Sequence, residues 1–546
     1  MGTVRMQNSS SSLSFSSDMG SNGTASTVLN NTTEGWLELF LTPAEKRVFS
    51  QWEEQVTDKS LSNRFVGQRV SDIFSRYIPD NVAPNVVTAS GFLFLSQSWY
   101  IISNYGEEFP TGCTWFAVLN ILYFYICHTC DVRHADRIRQ RTALGDLFKY
   151  CCDCISTVFL VILTTYCLGG TQPTTQWYAV QASQLVLFLK HLSAFNRNAG
   201  LRYNVLTGPG EVILSVICLL SIRAIFGLDW IIRLYQVSFH KLVRKLDDHN
   251  VTILKDDTLE KFYDPVALGS EAVMMFYYTM YFIALVKTLL LQKPHGWSRF
   301  GLSASLLMRF LPALFLHMGV PTLQIKMADV ICDGIFMAVL TSDVTLAKMA
   351  GRELHPWVVL MSMCAVLSHS TIISLTIIYY IAVFADLCSY LNMPLMTVCR
   401  NVYCDGIYDL CHIGHKRAFK NALQFGNRLF VGVVGDEDTK KYKRPPIMTH
   451  DERCAEVEAC KSVTKVIPNS PCFGLTPEFI NKHQIHIVAM GQEYMDRYPN
   501  PDDDPYYSYP RKIGIARVIP RTPGLSTSDL LRRIQNARPA DERNDS

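Results

Sequence analysis

The chain has 546 residues, 49% hydrophobic and 18% charged, and its 51 basic and 48 acidic side chains leave a net charge of +3. Such a length accommodates several domains, and so even a charge balance argues against a nucleic-acid binder, which carries a clear basic excess. The 17 cysteines, in a chain that reads as facing the cytosol, are expected as free thiols rather than a disulfide framework.

Residues 1–35 are rich in Ser, Asn, Gly and Thr and read as a disordered N-terminus without the apolar core of a signal peptide. Residues 36–80 are amphipathic and charged, suited to lying along a membrane surface. Over 81–393 apolar runs of roughly 17–22 residues recur, the length that crosses a bilayer. About ten spans are expected, near 83–103, 113–128, 150–168, 176–193, 210–232, 271–291, 301–319, 327–347, 356–370 and 372–391. The connection 131–149 carries Arg133, Arg137, Arg139, Arg141 and Lys149, whereas 104–112 has no Lys or Arg. Basic loops stay cytosolic, which places this connection in the cytosol and, with an even number of spans, both termini too. Cys127, Cys130, Cys151, Cys152 and Cys154 with His128 offer zinc-type ligands, but small buried thiols between packed helices are the plainer reading.

From Asn401 the pattern changes. Strands are expected at 401–404, 429–434, 463–467, 486–490 and 513–519, alternating with helices at 413–424, 450–460, 476–483 and 526–536. This alternation predicts a parallel sheet covered by helices, with the site at the carboxyl ends of its strands. The fold class is therefore a multi-pass all-α membrane domain followed by a soluble α/β Rossmann-like domain over 400–537, with a disordered tail at 538–546.

Two motifs mark that soluble domain. Asp409-Leu410-Cys411-His412-Ile413-Gly414-His415 falls where the first strand passes into its helix. Backbone N–H groups at a helix start favour an anion there. Gly414 admits phosphate close to the backbone, and His412 and His415 can donate to phosphate oxygens. Arg521-Thr522-Pro523-Gly524-Leu525-Ser526-Thr527-Ser528 adds a guanidinium, backbone donors around Gly524 and three hydroxyls ahead of the last helix.

Together these motifs resemble those of the cytidylyltransferases that make CDP-choline, CDP-ethanolamine and CDP-glycerol. The family form Arg-Thr-x-Gly-Ile-Ser-Thr-(Ser/Thr) differs here only at Leu525. Asp405-Gly406-Ile407-Tyr408-Asp409, the lysine before Pro445, Glu452-Arg453 and Leu475-Thr476-Pro477-Glu478-Phe479 extend the resemblance. It implies a nucleotidyltransferase in which His412 and His415 contact the CTP phosphates and Lys443 bridges substrate phosphate and α-phosphate. Arg521 would hold the β/γ phosphates with Thr522 and Thr527, and Gly414, Gly524 and Ser526 would complete the phosphate bed. Asp409 would orient a partner or help receive the substrate, and Gln492 stands where the family often has an Asp on nucleotide or substrate. Mg2+ would travel with CTP. The second substrate is phosphoethanolamine or phosphocholine. Tyrosines between Tyr494 and Tyr509 suit a quaternary ammonium, Asp502–Asp504 suit a primary one, and Cys472, where the choline branch has Trp, tilts the choice towards ethanolamine.

Within the apolar half, Ala83-Pro84-Asn85-Val86-Val87-Thr88 and the run from His128 to Asp153 resemble the CDP-alcohol phosphotransferases. The family pattern Asp-x2-Asp-Gly-x2-Ala-Arg-x8-Gly-x3-Asp-x3-Asp keeps its spacing. Its four carboxylates are here His128, Asp131, Lys149 and Asp153, its Gly is Val132 and its Arg is Asp136. An ammonium in place of a carboxylate opposes a dication that wants clustered oxygen ligands. The metal centre is therefore expected to be lost, leaving Asp131 and Asp153 as residual positions. The expected function is a membrane-anchored cytidylyltransferase in an endomembrane such as the endoplasmic reticulum. It would meet CTP, the amino-alcohol phosphate and the lipid bilayer, form a homodimer or pair with an active phosphotransferase, and bind no nucleic acid. The alternatives are a bifunctional enzyme that also transfers the head group to diacylglycerol, and a non-catalytic scaffold. An aminoacyl-tRNA synthetase, which shares His-Ile-Gly-His, is disfavoured because no Lys-Met-Ser-Lys-Ser element follows.

Overall fold

A computed structural model describes residues 40–53, 56–247, 264–291, 296–319, 324–353, 369–442, 445–522 and 526–536. The expected disordered N-terminus 1–35, the tail 538–546 and nearly all of the span expected at 356–370 lie outside them.

The helical half begins with α1 (Pro43–Ser50), whose start is fixed by a reciprocal cap between Thr42 and Glu45. Phe40, Leu41 and Phe49 are buried, and Lys46 Nζ reaches Asp386 at 2.6 Å. After α2 (Gln68–Phe74) come α3 (Pro84–Tyr105), α4 (Pro110–Arg137), α5 (Ala143–Cys167), α6 (Pro173–Arg197), α7 (Pro209–Phe226) and α8 (Leu228–Asp247). Then follow α9 (Pro265–Leu289), α10 (Gly296–His317), α11 (Met327–Ala350) and α12 (His369–Leu391). Proline opens α3, α4, α6, α7 and α9, where its missing N–H costs nothing. A short parallel pair, β1 (Thr57–Asp58) with β2 (Arg202–Tyr203), ties the N-terminal segment to the end of α6.

Eight described helices, α3, α4, α5, α7, α9, α10, α11 and α12, are long and apolar enough to cross a membrane. The span expected at 176–193 falls on α6, which is less apolar than these eight. Its Gln176, Gln181, Gln184, Lys190 and His191 lower its hydropathy, and most of its faces are buried by neighbouring helices. The expected span at 210–232 also divides, because Gly227 breaks the helix with φ 79. Charges inside this bundle are paired, as an apolar interior demands. Asp333 accepts from Trp177 Nε1 at 2.8 Å and pairs with Arg309. Asp343 pairs with Arg352 at 2.6 Å and accepts from Tyr379 Oη at 3.0 Å. The cysteines fill packing positions: a Cβ on Gly91 would come within 2.8 Å of Cys127 Cβ, so α3 and α4 touch there.

The C-terminal half is a five-stranded parallel sheet of β3 (Asn401–Gly406), β4 (Arg428–Val434), β5 (Lys465–Ser470), β6 (Ile487–Gly491) and β7 (Ala516–Ile519). Their spatial order is β5-β4-β3-β6-β7, which puts the reversal of winding between β3 and β6 and opens a crevice at their carboxyl ends. Val402, Leu429, Val431, Val433, Val488 and Ala489 are buried at its centre. Helices α13 (Ile413–Leu423), α14 (Asp436–Tyr442), α15 (His450–Glu458), α16 (Pro477–Lys482), α17 (Gln492–Arg497), α18 (Ser508–Lys512) and α19 (Thr527–Asn536) cover it. β3 runs two residues beyond its expected end. β7 starts later than expected, because α18 and a turn at Gly514 (φ 76) occupy the preceding residues.

One buried side chain sets the crevice floor. Arg453 is fully buried, and its guanidinium donates to Ile407 O at 2.5 Å, Val434 O at 2.9 Å and Asp436 Oδ1 at 2.6 Å. It thereby joins the segments leaving β3 and β4. Replacing Arg453 with Ala strands two carbonyls and should lower unfolding stability by about 2–4 kcal/mol, read as a fall in melting temperature. An unchanged melting temperature would deny Arg453 this role.

Candidate functional site

The crevice is an open cleft of about 400 Å³ lined from both motifs and from the ends of β3 and β6. His412 is the N-cap of α13, and its Nδ1 accepts from Gly414 N at 3.1 Å. That bond leaves the ring proton of a neutral His412 on Nε2, which is buried, has no hydrogen-bond partner among the described residues and belongs to a ring lining the cleft. Burial also lowers the His412 pKa, favouring this neutral tautomer, a ready donor to a phosphate oxygen. The His415 ring stacks on it with centroids 3.9 Å apart, and the Tyr408 ring meets His415 edge-on at 5.3 Å. The preceding turn holds Tyr408 and Leu410 in the left-handed region (φ 54 and 49), a strain that surrounding structure must maintain. Gly406 makes room for it, since a Cβ there would lie 2.9 Å from the Tyr408 ring.

The second motif closes the opposite wall. Arg521, Thr522, Ser526, Thr527 and Ser528 line the cleft. Ser526 Oγ accepts from Asp529 N at 3.2 Å and donates to Asp529 Oδ2 at 2.7 Å, capping α19. Thr527 Oγ1 donates to Asp409 O at 3.2 Å, which ties α19 to the first motif. The N-termini of α13 and α19 therefore face one volume, an arrangement that favours a polyanion.

Not every expected residue points into the cleft. Asp409 lines it, but its carboxylate accepts from Ile447 N and Met448 N at 3.1 Å. It holds the chain that follows α14 rather than presenting open oxygens. The Gln492 amide donates to Asp496 Oδ1 at 2.9 Å and lies in an outer groove with Glu493 and Arg521. Lys443 and Gly524 lie outside the described residues.

The far end of the cleft holds Asp405, to which sequence reasoning assigned no role of its own, among the tyrosines expected near a head group. Asp405, at the end of β3, is half-buried with its pKa pushed up to about 6 by desolvation, and Tyr507 Oη donates to its Oδ1 at 2.7 Å. Tyr494 packs edge-to-face against Tyr506 and Tyr507 at 5.3 and 5.0 Å, and Phe473 stacks on Tyr506 at 5.4 Å. Cys472 lies beside them on the cleft wall. The available signal was position: Asp405 ends the strand next to the winding reversal, where ligands bind.

In the helical half, Lys149 Nζ donates to Asp131 Oδ1 at 2.6 Å and His128 O at 2.9 Å, and Thr88 Oγ1 donates to Asp131 Oδ2 at 2.9 Å. Asp153 instead faces His128 Nδ1 at 3.2 Å. The two residual carboxylates are thus engaged by separate partners.

Residues 403–533 match the family described as Cytidylyltransferase-like. Choline-phosphate cytidylyltransferase 2 of Arabidopsis thaliana is 43% identical over 136 residues, 24% of this chain and 44% of that protein. Choline-phosphate cytidylyltransferase A of Homo sapiens is 40% identical over 135 residues, covering 24% and 36%. Ethanolamine-phosphate cytidylyltransferase of Mus musculus is 36% identical over 133 residues, covering 24% and 32%. The chain spans less than half the length of these curated relatives. Its C-terminal half is a cytidylyltransferase-like domain, placed after a set of apolar helices.

Proposed function

We propose that the chain is a membrane-anchored cytidylyltransferase that joins CTP to phosphocholine or phosphoethanolamine and releases pyrophosphate. The convergence of two helix N-termini, two imidazoles and Arg521 on one cleft, with a half-buried carboxylate beside aromatic rings at its other end, carries this reading. A phosphomonoester oxygen attacks the α-phosphorus of CTP in line, the new P–O bond forms, and the bond to the β-phosphate oxygen breaks. The protein's part is positioning and charge stabilisation. His412 donates from Nε2, Arg521 and the α19 terminus hold the leaving pyrophosphate, and Asp409 keeps the following loop in place. Asp405 and Asp409 are engaged by Tyr507 and by backbone N–H groups, so neither is arranged as a metal ligand. Magnesium would enter as part of the CTP complex, on phosphate oxygens.

Phosphocholine is the preferred head group in this reading. Phe473 supplies an aromatic face beside Cys472, and Tyr494, Tyr506 and Tyr507 surround Asp405, a set suited to a quaternary ammonium. This reverses the slight tilt towards ethanolamine that Cys472 alone gave. Pyrophosphate release by purified protein with each amino-alcohol phosphate tests both levels. Turnover with a higher kcat/KM for phosphocholine is expected. No turnover with either substrate would refute the activity, and a preference for phosphoethanolamine would refute the head-group assignment.

Asp405 should also impose a pH dependence. Its pKa in the fold, about 6, means that the anion that meets the ammonium is populated only as pH rises through that value. KM for phosphocholine should fall as pH increases from 5 to 7, and Asp405→Asn should raise KM and flatten the profile. A profile unchanged by Asp405→Asn would contradict this assignment.

The helical half serves as the anchor. The end of α4, the start of α5 and the end of α12 all lie on the side of the catalytic domain, since Arg139 bonds Ile485 O and Arg428 bonds Leu391 O. In this reading the basic connection at 131–149 and the catalytic domain share one side of the membrane, the cytosolic one by the charge of that connection. With Asp131 held by Lys149, membranes containing only this protein should form no phospholipid from CDP-choline and diacylglycerol. Labelled lipid that disappears on Asp131→Asn would instead support the bifunctional alternative.

A further inference from the structure

The two halves are joined by a connection unlike a flexible tether. Between α12 and β3 the chain reads Asn392-Met393-Pro394-Leu395-Met396-Thr397-Val398-Cys399-Arg400. It contains neither Gly nor Ser, the residues that make linkers loose. Instead it is bonded along its length. Asn85 Nδ2 donates to Leu395 O at 2.9 Å, Asn427 Nδ2 to Val398 O at 2.9 Å and Gln140 Nε2 to Cys399 O at 2.5 Å. Beneath it Met393, Pro394, Leu395, Thr397 and Cys399 close a cavity of only about 50 Å³ whose other walls include Asn85, Asp131 and Lys149.

The connection between α4 and α5 grips the catalytic domain directly. Arg139 Nη1 donates to Ile485 O at 2.9 Å, and Gln484 Nε2 donates to Arg141 O at 2.7 Å. His486 Nδ1 accepts from Asn401 N at 3.1 Å, which leaves Nε2–H to donate to Ile138 O at 2.7 Å. One neutral imidazole thus bonds the first residue of β3 and the helical half at once. Arg139 and Gln484, on opposite sides of this seam, both adopt left-handed backbone (φ 53 and 49). Side-chain-bearing residues hold that conformation only where their surroundings over-determine it.

We propose that the mouth of the helical half is a docking cradle for the chain's own cytidylyltransferase domain, with Met393–Cys399 as the plug of its polar cavity and His486 as the latch. The polar cavity around Asp131 and Lys149 is then filled by the chain itself, and CDP-alcohol made in the cleft must leave for a separate phosphotransferase. The cradle stands on these contacts alone and holds whichever head group the catalytic domain accepts.

The latch has a pH sense. The charged groups facing His486 are Arg139 on the α4–α5 connection and Arg400 ahead of β3, both cationic; with burial they lower its pKa, against the carbonyls of Ile138 and Gln484. Docking is therefore complete above the ordinary histidine range and is lost as pH falls through the lowered value.

Hydrogen–deuterium exchange on the full-length protein in lipid nanodiscs tests the cradle. Wild type should show slow exchange at 395–400, and Arg139→Ala with His486→Ala should accelerate it about tenfold while β3 and β4 stay protected. His486→Asn, which keeps a donor for Ile138 O, should restore part of the protection and remove the acid-dependent loosening. Wild-type exchange at 395–400 in the double variant would overturn the proposal. So would equal acceleration in β3 and β4, which would make His486 a folding residue rather than a latch.

Discussion

Everything in the catalytic half depends on the meeting of two helix starts over one crevice. The proposed nucleoside triphosphate would bring several negative charges into a small volume, and the positive ends of α13 and α19 border that volume. The sheet order makes the meeting feasible: reversal of winding between β3 and β6 leaves a gap that no helix covers. Asp409 then fixes the spacing, with its carboxylate on the 447–448 backbone and its carbonyl on Thr527. The cost appears as strain at Tyr408 and Leu410 and as a buried imidazole nitrogen left for a ligand.

The helical half obeys a different rule. Three of its buried carboxylates are each answered by partners: Asp333 by Arg309 and Trp177, Asp343 by Arg352 and Tyr379, Asp131 by Lys149 and Thr88. Pairs of this kind hold helices in register rather than offering an open reactive group. The lysine at position 149 thus links two levels. It neutralises Asp131 within the bundle, and it sits under the strap that carries the catalytic domain.

Much of this was readable beforehand, for definable reasons. The strands of the C-terminal domain were legible because short apolar runs alternate with helical stretches; Thr449, Thr476 and Ser526 cap the helices that follow them. The expected phosphate bed was read from the pairing of two motifs, and the fold brings residues of both to one cleft. Side-chain direction was not. Gln492 turns outward to Asp496, and Asp409 gives its oxygens to backbone amides, choices set by tertiary neighbours that spacing does not encode. Asp405 escaped notice as a site residue because a lone carboxylate at a strand end carries no local pattern. The α6 helix was counted as a span from the length of its apolar run, and the same run carries Gln184 and His191, which bond Cys154 O and Thr345 Oγ1 of neighbouring helices.

Equilibrium binding of CTP with magnesium to the full-length protein, by isothermal titration calorimetry, tests the central claim most directly. His412→Ala and Arg521→Ala should each weaken CTP affinity by about 10- to 100-fold, the loss of one contact to charged phosphate. Arg521→Ala should leave the melting temperature of the unliganded protein unchanged, and His412→Ala, which also loses its bond to Gly414 N, should lower it slightly. If both variants bind CTP as tightly as the wild type, the crevice between α13 and α19 is not where the nucleotide sits.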